Sequence, residues 1–376
     1  MPKPKILVFI DWFVPAYKAG GPITSCYNAI EALKGYFDFY VVTSNTDYLE
    51  NEPLKGIESD CWNSNDGFKV FYTSKTKLSI GFIRETIKHT EHQVLWINGF
   101  FSFYFSILPS FFRIKSKRTI ISTRGMLGGN VLQFKSLKKR IFIQLSKILN
   151  LYKGVLFHAT NQSEAIEIEN NFNNKVLIAS NFPTIKKSNQ EKVRQKNKGE
   201  LKILQVARIA KEKNTLFTID LITKMRGNVV LDIVGSIYDK EYADDCKELA
   251  NHVKSNIKIN FLGPKSPIEL NSLMGNYDLF LLPTLGENFG HSIAESLSNG
   301  IPVLISNKTP WRNLEESNAG FDLPLKKELF LEKLNFFQML NQKEMEIWKN
   351  GASSFFLKEV NIEKIMKQNL KLFSIE

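Results

Sequence analysis

Short runs of apolar, often β-branched residues recur along the chain, each followed by a polar loop and then by apolar residues at helical spacing. In the first half the runs are Ile6–Ile10, Phe39–Thr43, Val94–Ile97 and Thr119–Ser122, with amphipathic stretches such as Ser25–Leu33 and Leu137–Leu151 between them. Brief, continuous apolar runs are those of parallel strands covered on both faces. The rhythm stops at PTIKKSNQEKVRQKNKGE, which begins at Pro183 and has almost no large apolar residue. It restarts with Leu201–Val206 and continues through Val229–Val234, Ile257–Leu262, Leu279–Pro283 and Pro302–Ile305. Alternating strands and helices with right-handed crossovers build open, doubly wound sheets. The pattern therefore predicts an α/β protein with two Rossmann-like doubly wound domains. The first covers residues 1–183, a basic linker follows at 184–200, the second covers 201–358, and 359–376 holds a closing helix. The 184–200 stretch also fits a solvated surface loop inside one domain. Ligands of such sheets bind outside the carboxyl ends of the strands, so two domains facing each other are expected to share a cleft lined by loops of both.

Composition and charge narrow the class. Of the 376 residues 43% are hydrophobic and 23% charged, the balance of an ordinary globular protein, which excludes a disordered tail or a disulfide-stapled miniprotein. Cys26, Cys61 and Cys246 are far apart and have no metal-ligand spacing, so they read as free thiols. The net charge of +12 is uneven: residues 1–183 carry 22 Lys/Arg against 14 Asp/Glu, 184–200 carry 6 against 2, and 201–376 carry 22 against 22. The charge motivates a nucleic-acid-binding reading, but that reading explains nothing in the neutral second half. The N-terminal MPKPKILVFIDWFVP is interrupted by Asp11 and reads as a first strand, not a signal peptide. No stretch approaches the roughly 18–20 apolar residues that span a bilayer. A cytoplasmic location is expected, with peripheral contact at the inner face of the cytoplasmic membrane left open. From His92 to Ser163 there is no Asp or Glu but eleven Lys/Arg, and the aromatic run FFSFYFSILPSFF occupies 100–112. This region fits either an anionic membrane surface or a buried helix followed by a solvated basic one.

The most informative segment is PTLGENFGHSIAESLSNGIPVLIS, residues 283–306. A strand runs into a loop with Gly286 and Gly290, and a helix begins near His291. A helix N-terminus offers N–H groups and partial positive charge to a phosphate, and a glycine at 290 lets a ligand approach the backbone. Glu287 lies in the loop and Glu295 about one turn into the helix, where each can accept hydrogen bonds from sugar hydroxyls. The spacing suits a nucleoside diphosphate sugar, and equally a helix-capping acid and a surface acid.

The string Glu287-Asn288-Phe289-Gly290-His291-Ser292-Ile293-Ala294-Glu295, followed by SLSNGIPVL, resembles the signature of retaining glycosyltransferase family 4, strongest across 201–306 and looser before it. The resemblance implies the GT-B fold and a donor site on the second domain. VARIAKEKN, residues 206–214, is similar to the family run whose Arg and Lys bind the diphosphate, which assigns those roles to Arg208 and Lys213. Two fixed cations there would stabilise the charge of a departing diphosphate without a metal; an ordinary surface Arg and Lys after a strand is the other reading. Ala207 and Asn214 stand where the family usually has glycine. Gly235 and Gly263, each at a strand end, resemble nucleotide-contacting loops, and are also what a plain turn would use. Gly20-Gly21 in PAYKAGGPITS resembles the family's donor-facing loop, or is a tight turn with Thr24 or Ser25 capping the following helix. No G-x-G-x-x-G occurs, which argues against a dinucleotide-binding dehydrogenase. In STRGMLGG (122–129), Arg124 falls where many members have histidine, and Asn98 ends the third strand; both are candidates for the acceptor or the donor sugar. His89, His92, His158 and His252 read as structural or surface.

The resemblance thus implies a retaining transferase that uses a UDP- or GDP-sugar and needs no metal or other cofactor. Its acceptor would be a hydroxyl of a saccharide or lipid-linked saccharide, in polysaccharide biosynthesis of the O-antigen or capsule type. Glu287, Arg208 and Lys213 are the catalytic candidates. The donor-binding set adds Gly20, Gly21, Gly235, Gly263, Asn288, Phe289, Gly290, His291, Ser292 and Glu295. Nucleic acid is not an expected partner; a GT-B sugar-nucleotide epimerase is the alternative within enzymes.

Overall fold

The computed structural model describes residues 2–128, 136–184 and 194–374. Gly129 of the STRGMLGG run and most of the predicted linker lie outside the described residues. The chain divides into two compact units, one running to Phe182 and resuming at Ile362, the other spanning Pro183–Asn361.

In the first unit the strands are β1 (Lys5–Ile10), β2 (Asp38–Ser44), β3 (Trp62–Asn65), β4 (Phe68–Thr73), β5 (Val94–Asn98), β6 (Arg118–Ser122), β7 (Leu156–Ala159) and β8 (Val176–Ile178). Among the described residues they form one sheet in the order β3-β4-β2-β1-β5-β6-β7-β8. The sheet is parallel except for the β3–β4 hairpin, whose two-residue turn is Asp66-Gly67 with Gly67 at φ 83°. The central strands β1 and β5 are buried almost throughout, as continuous apolar runs require. The 100–112 segment joins the core only in part. Phe100 and Phe105 are 1% and 5% exposed, whereas Phe103 and Phe111 are 50% and 66% exposed. Among the described residues no helix is long and apolar enough to cross a membrane.

The second unit contains β9 (Glu200–Val206), β10 (Asn228–Val234), β11 (Ile257–Gly263), β12 (Leu279–Leu282), β13 (Val303–Ser306) and β14 (Gly320–Leu323). All its strand pairs are parallel, in the order β11-β10-β9-β12-β13-β14. Its first strand lies at the centre, and succession reverses there: β10 and β11 build outward on one side, β12 to β14 on the other. In the first unit the same reversal falls between β1 and β5. At such switch points the loops leaving adjacent strands diverge to opposite faces, opening a crevice at the carboxyl ends.

The last helix, Ile362–Phe373, belongs to the first unit. Phe373 is fully buried, its ring 4.9 Å from Trp96, 5.9 Å from Phe37 and 6.3 Å from Phe39. Ser180 accepts from Asn369 Nδ2 at 3.0 Å through its carbonyl and donates its N–H to Gln368 at 3.2 Å. Replacing Phe373 by Ala removes the ring all three aromatics pack on and is expected to destabilise the first unit by about 3–5 kcal/mol. Hydrogen exchange checks it: protection of β2 and β5 should fall while that of β10 and β13 is retained.

Candidate active site

In the second unit the loops leaving β9 and β12 are tied together by hydrogen bonds to backbone carbonyls. Leu285 donates its N–H to the Glu212 carbonyl at 2.8 Å, and Asn214 Nδ2 donates to the Pro283 carbonyl at 3.0 Å. Thr284 Oγ1 donates to the same Glu212 carbonyl at 3.1 Å. Asn214 has φ 59°, the left-handed region that glycine takes most readily and asparagine tolerates best among the other residues. That accounts for asparagine at a position where the resemblance leads to glycine.

This stitching brings Lys213 and Glu287 together. Lys213 Nζ lies 2.5 Å from Glu287 Oε1, and the two side chains are only 16% and 15% exposed. The Glu287 N–H donates to the Lys308 carbonyl at 3.0 Å, which fixes the loop on its other side. Arg208 lies over the Tyr238 ring at 4.9 Å, with Glu212 Oε1 3.6 Å from its guanidinium. At 36% exposure that second contact is worth little, so Arg208 is a cation held by ring stacking and open to solvent.

Glycines set the close approaches. At Gly235, φ 155°, an added Cβ would stand 1.9 Å from the Ala207 carbonyl oxygen. Ala207 and Gly235 donate their N–H groups to Val234 and Gly263 carbonyls at 3.0 and 3.1 Å, so the three strand-end loops of β9, β10 and β11 are in register. Gly290, φ 75°, is the N-cap of the helix His291–Ser298, and no side chain caps that helix. Ile293 and Ala294 turn their N–H groups back to the Gly290 carbonyl at 3.0 Å. Trp311 Nε1 donates to the Phe289 carbonyl at 2.6 Å, and the Phe289 ring lies 4.7 Å from His291 and 5.9 Å from Trp311. The loop before the helix is therefore clamped from outside. Asn288, Ser292 and Glu295 are half-buried on the loop and the first turns of the helix.

In the first unit, Gly20 has φ 74° and is the N-cap of the helix Gly21–Leu33. That helix starts earlier than expected, so Thr24 and Ser25 lie within its first turns and do not cap it; no side chain does. Arg124, at φ 53°, directs its guanidinium at two amide oxygens. Its terminal nitrogens lie 2.5 Å from Asn98 Oδ1 and 2.8 Å from Asn181 Oδ1, and it stands over Trp96 at 5.9 Å. Burial pulls its pKa below the ordinary arginine value. Asn98 Nδ2 is buried without a hydrogen-bond partner.

Four residues of this cluster were missed in the sequence. Buried Glu164 accepts from Thr123 Oγ1 and the Gly125 N–H at 2.7 Å each and from the Thr160 N–H at 2.8 Å, which pins both neighbours of Arg124. Asn181 holds the guanidinium. At the end of β1, Asp11 Oδ1 accepts from Ser102 Oγ at 2.6 Å, and burial raises the Asp11 pKa above the usual carboxylate value. Ser102 follows Asn98 closely, but its partner is 91 residues away in sequence. Asp11 and Ser102 follow β1 and β5 at the switch point, whereas Glu164 and Asn181 follow β7 and β8, so only the order of the strands brings them into view. His158 is structural, as expected: one ring nitrogen lies 2.7 Å from Ser122 Oγ and the other 2.8 Å from the Ala179 carbonyl.

Comparison with known proteins follows the same division. Residues 186–365 match the family model described as glycosyl transferases group 1, a span that covers nearly the whole second unit. Solved structures resemble the chain along almost all of its length. The Anabaena protein Alr3699/HepE in complex with UDP-glucose is 14% identical with a TM-score of 0.69, over 98% of each chain. Sucrose-phosphate synthase from Thermosynechococcus elongatus is 12% identical with a TM-score of 0.68, over 99% of this chain and 98% of that one. WaaG, a glycosyltransferase involved in lipopolysaccharide biosynthesis, is 13% identical with a TM-score of 0.67, over 98% and 100%. The fold is GT-B, with two Rossmann-like domains. No curated protein sequence matches the chain significantly.

Two outcomes test the geometry. Gly235→Ala forces a methyl group into the Ala207 carbonyl and is expected to cost about 3 kcal/mol or more. Chemical denaturation of the second unit measures it. Burial, with the Arg124 charge second, lowers the His158 pKa to about 4. The unfolded state therefore binds the proton first as pH falls. Stability contributed by neutral His158 is complete above the unfolded value of about 6.5 and is lost as pH drops from there toward 4. Lowering pH through that window should cost the first unit on the order of 3 kcal/mol. In His158→Gln this part of the pH dependence should vanish.

Proposed function

We propose that the protein is a retaining glycosyltransferase that moves a sugar from a UDP- or GDP-sugar to a hydroxyl of a saccharide or lipid-linked saccharide. One observation carries the reading. Lys213 pairs with Glu287, and Arg208 and the mouth of the His291–Ser298 helix follow the same two strands, β9 and β12, whose carboxyl ends mark the switch point where a doubly wound sheet takes its ligand. The match of residues 186–365 to the group 1 model and the UDP-glucose held by the Anabaena structure support it.

In this reading the diphosphate lies against Lys213, Arg208 and the helix N-terminus. Lys213 then serves two anions, the phosphate and Glu287, and so links the leaving group to the residue that orients the transferred sugar. Glu295 accepts hydrogen bonds from the ribose hydroxyls. The glycosidic C1–O bond to the diphosphate breaks as the acceptor oxygen bonds to C1 on the same face. The acceptor proton passes to the departing phosphate oxygen, so no side chain need be a strong base. Negative charge grows on the diphosphate during the step, and the two cations and the helix dipole stabilise it more in the transition state than before. Neutralisation by side chains leaves no role that requires a metal or a resident cofactor. In the first unit, Arg124 and the free amide of Asn98 are the polar groups we assign to an incoming sugar hydroxyl. The excess of basic residues in 92–163 favours an acceptor at the inner face of the cytoplasmic membrane, in the building of a surface polysaccharide of the O-antigen or capsule type.

UDP and GDP should each be tried for thermal stabilisation, because a ligand at a hundredfold excess over its Kd adds about 2.7 kcal/mol. With the donor identified, Arg208→Ala and Lys213→Ala are each expected to lower kcat/KM by roughly 10²–10³-fold. Glu295→Ala should mainly raise the donor KM. NMR of the product should show the anomeric configuration of the donor. Wild-type rates in both cation variants would overturn the assignment of the diphosphate.

A further inference from the structure

The helix Ser136–Ile148 is apolar on two opposite faces. One face packs inward: Ile143 is 3% exposed, and the Phe142 ring lies 5.9 Å from both Phe100 and Phe101. On the other, Leu137, Ile141, Leu145 and Ile148 are 72%, 49%, 50% and 73% exposed, and Leu149 just beyond the helix is 74% exposed. At about 100° per residue the four helical positions fall within an arc of roughly 80°. They form one outward stripe that the fold itself leaves uncovered among the described residues.

Charge surrounds that stripe. Lys138 lies on one flank, Arg140 and Lys147 on the other, all three exposed. Lys115 and Lys153 are exposed on neighbouring segments, and the Arg113 guanidinium joins those segments by donating to the Lys153 carbonyl at 2.9 Å. No acidic residue occurs between His92 and Ser163 to offset them. Phe103 and Phe111, on the segment that packs against the helix through Phe101, add two more exposed rings. A contiguous apolar stripe of this kind is unusual on a monomeric protein and marks a surface that meets something.

We infer that this face docks on an anionic lipid bilayer, with the helix in the interfacial plane, the stripe in the acyl boundary and the flanking cations on the headgroups. The charge decides between occupants. A second copy of the chain would bring two clusters of unneutralised lysine and arginine together. A neutral apolar partner would leave the cations unused. An anionic membrane satisfies both features at once, since interfacial helices are held by apolar burial plus attraction to acidic headgroups. The segment 100–112, which the sequence marked out, contributes two rings; the principal surface is the helix after it. The inference deepens the membrane reading proposed above. It is tested without nucleotide sugar, so its failure would leave the transfer reaction untouched.

The test is flotation of the full chain with vesicles of phosphatidylcholine alone and of phosphatidylcholine with 30% phosphatidylglycerol. Binding is expected only to the anionic vesicles and should weaken as salt rises. The double variant Ile141→Asp, Leu145→Asp should lose it. The triple variant Lys138→Ser, Arg140→Ser, Lys147→Ser should bind roughly a hundredfold more weakly, at about fivefold per cation. All these side chains are exposed, so circular dichroism and thermal midpoint should match the wild type and exclude misfolding. Wild-type protein that ignores phosphatidylglycerol would overturn the inference, as would an aspartate variant that floats like the wild type. Light scattering that shows a dimer abolished by the aspartate variant, with no lipid binding, would assign the face to a second copy.

Discussion

Lys213 and Glu287 meet because two loops from neighbouring parallel strands are tied by hydrogen bonds to backbone carbonyls, and the candidate site depends on that tie. Without the Leu285 and Asn214 hydrogen bonds to Glu212 and Pro283, Lys213 would be a solvated lysine after a short turn. Held as it is, it sits mostly buried against one carboxylate. A pair of this kind adds little net stability, since desolvating two charges offsets most of their attraction. What it provides is a cation already stripped of water and fixed in place, which an incoming anion can share at low reorganisation cost. The glycines at 235 and 290 serve the same end by letting backbone stand where a side chain would clash.

The two units handle their cations differently. In the second, Lys213 is neutralised by Glu287 and Arg208 is stacked on Tyr238. In the first, Arg124 is gripped by two amide oxygens, and among the described residues no carboxylate lies within ion-pair distance of it. Glu164 spends its oxygens on Thr123, Gly125 and Thr160, fixing the backbone around Arg124 and leaving the guanidinium charge unpaired. An unpaired, partly desolvated cation beside an unsatisfied amide is a polar site with capacity to spare.

Much of the fold was legible because its central strands are continuous apolar runs, and β1, β2, β5, β6, β9, β10, β11, β12 and β13 were all placed within a residue or two. The strands passed over were short or at the edge. β7, β8 and β14 have three or four residues; β12 and β13 are as short, but they border the 283–306 segment whose glycines and carboxylates mark them out. The β3–β4 hairpin carries a signal in its Asp66-Gly67 turn, but β3, Trp62–Asn65, has a single apolar residue and no alternation to pair with it. At the site, positions were legible and partnerships were not. Lys213 and Glu287 were assigned separate roles because nothing in a spacing of 74 residues states that they touch. Asp11, Ser102, Glu164 and Asn181 escaped for the same reason: each is an unremarkable residue until strand order puts it beside another.

In the proposed donor site a nucleoside diphosphate rests on Lys213, Arg208 and the His291–Ser298 helix mouth. A crystal structure of the protein grown with UDP tests it most directly. Diphosphate oxygens within about 3.2 Å of Lys213 Nζ and the Arg208 guanidinium, close to the first N–H groups of that helix, are expected. UDP bound elsewhere, with Lys213 paired only to Glu287 as it is here, would contradict the claim.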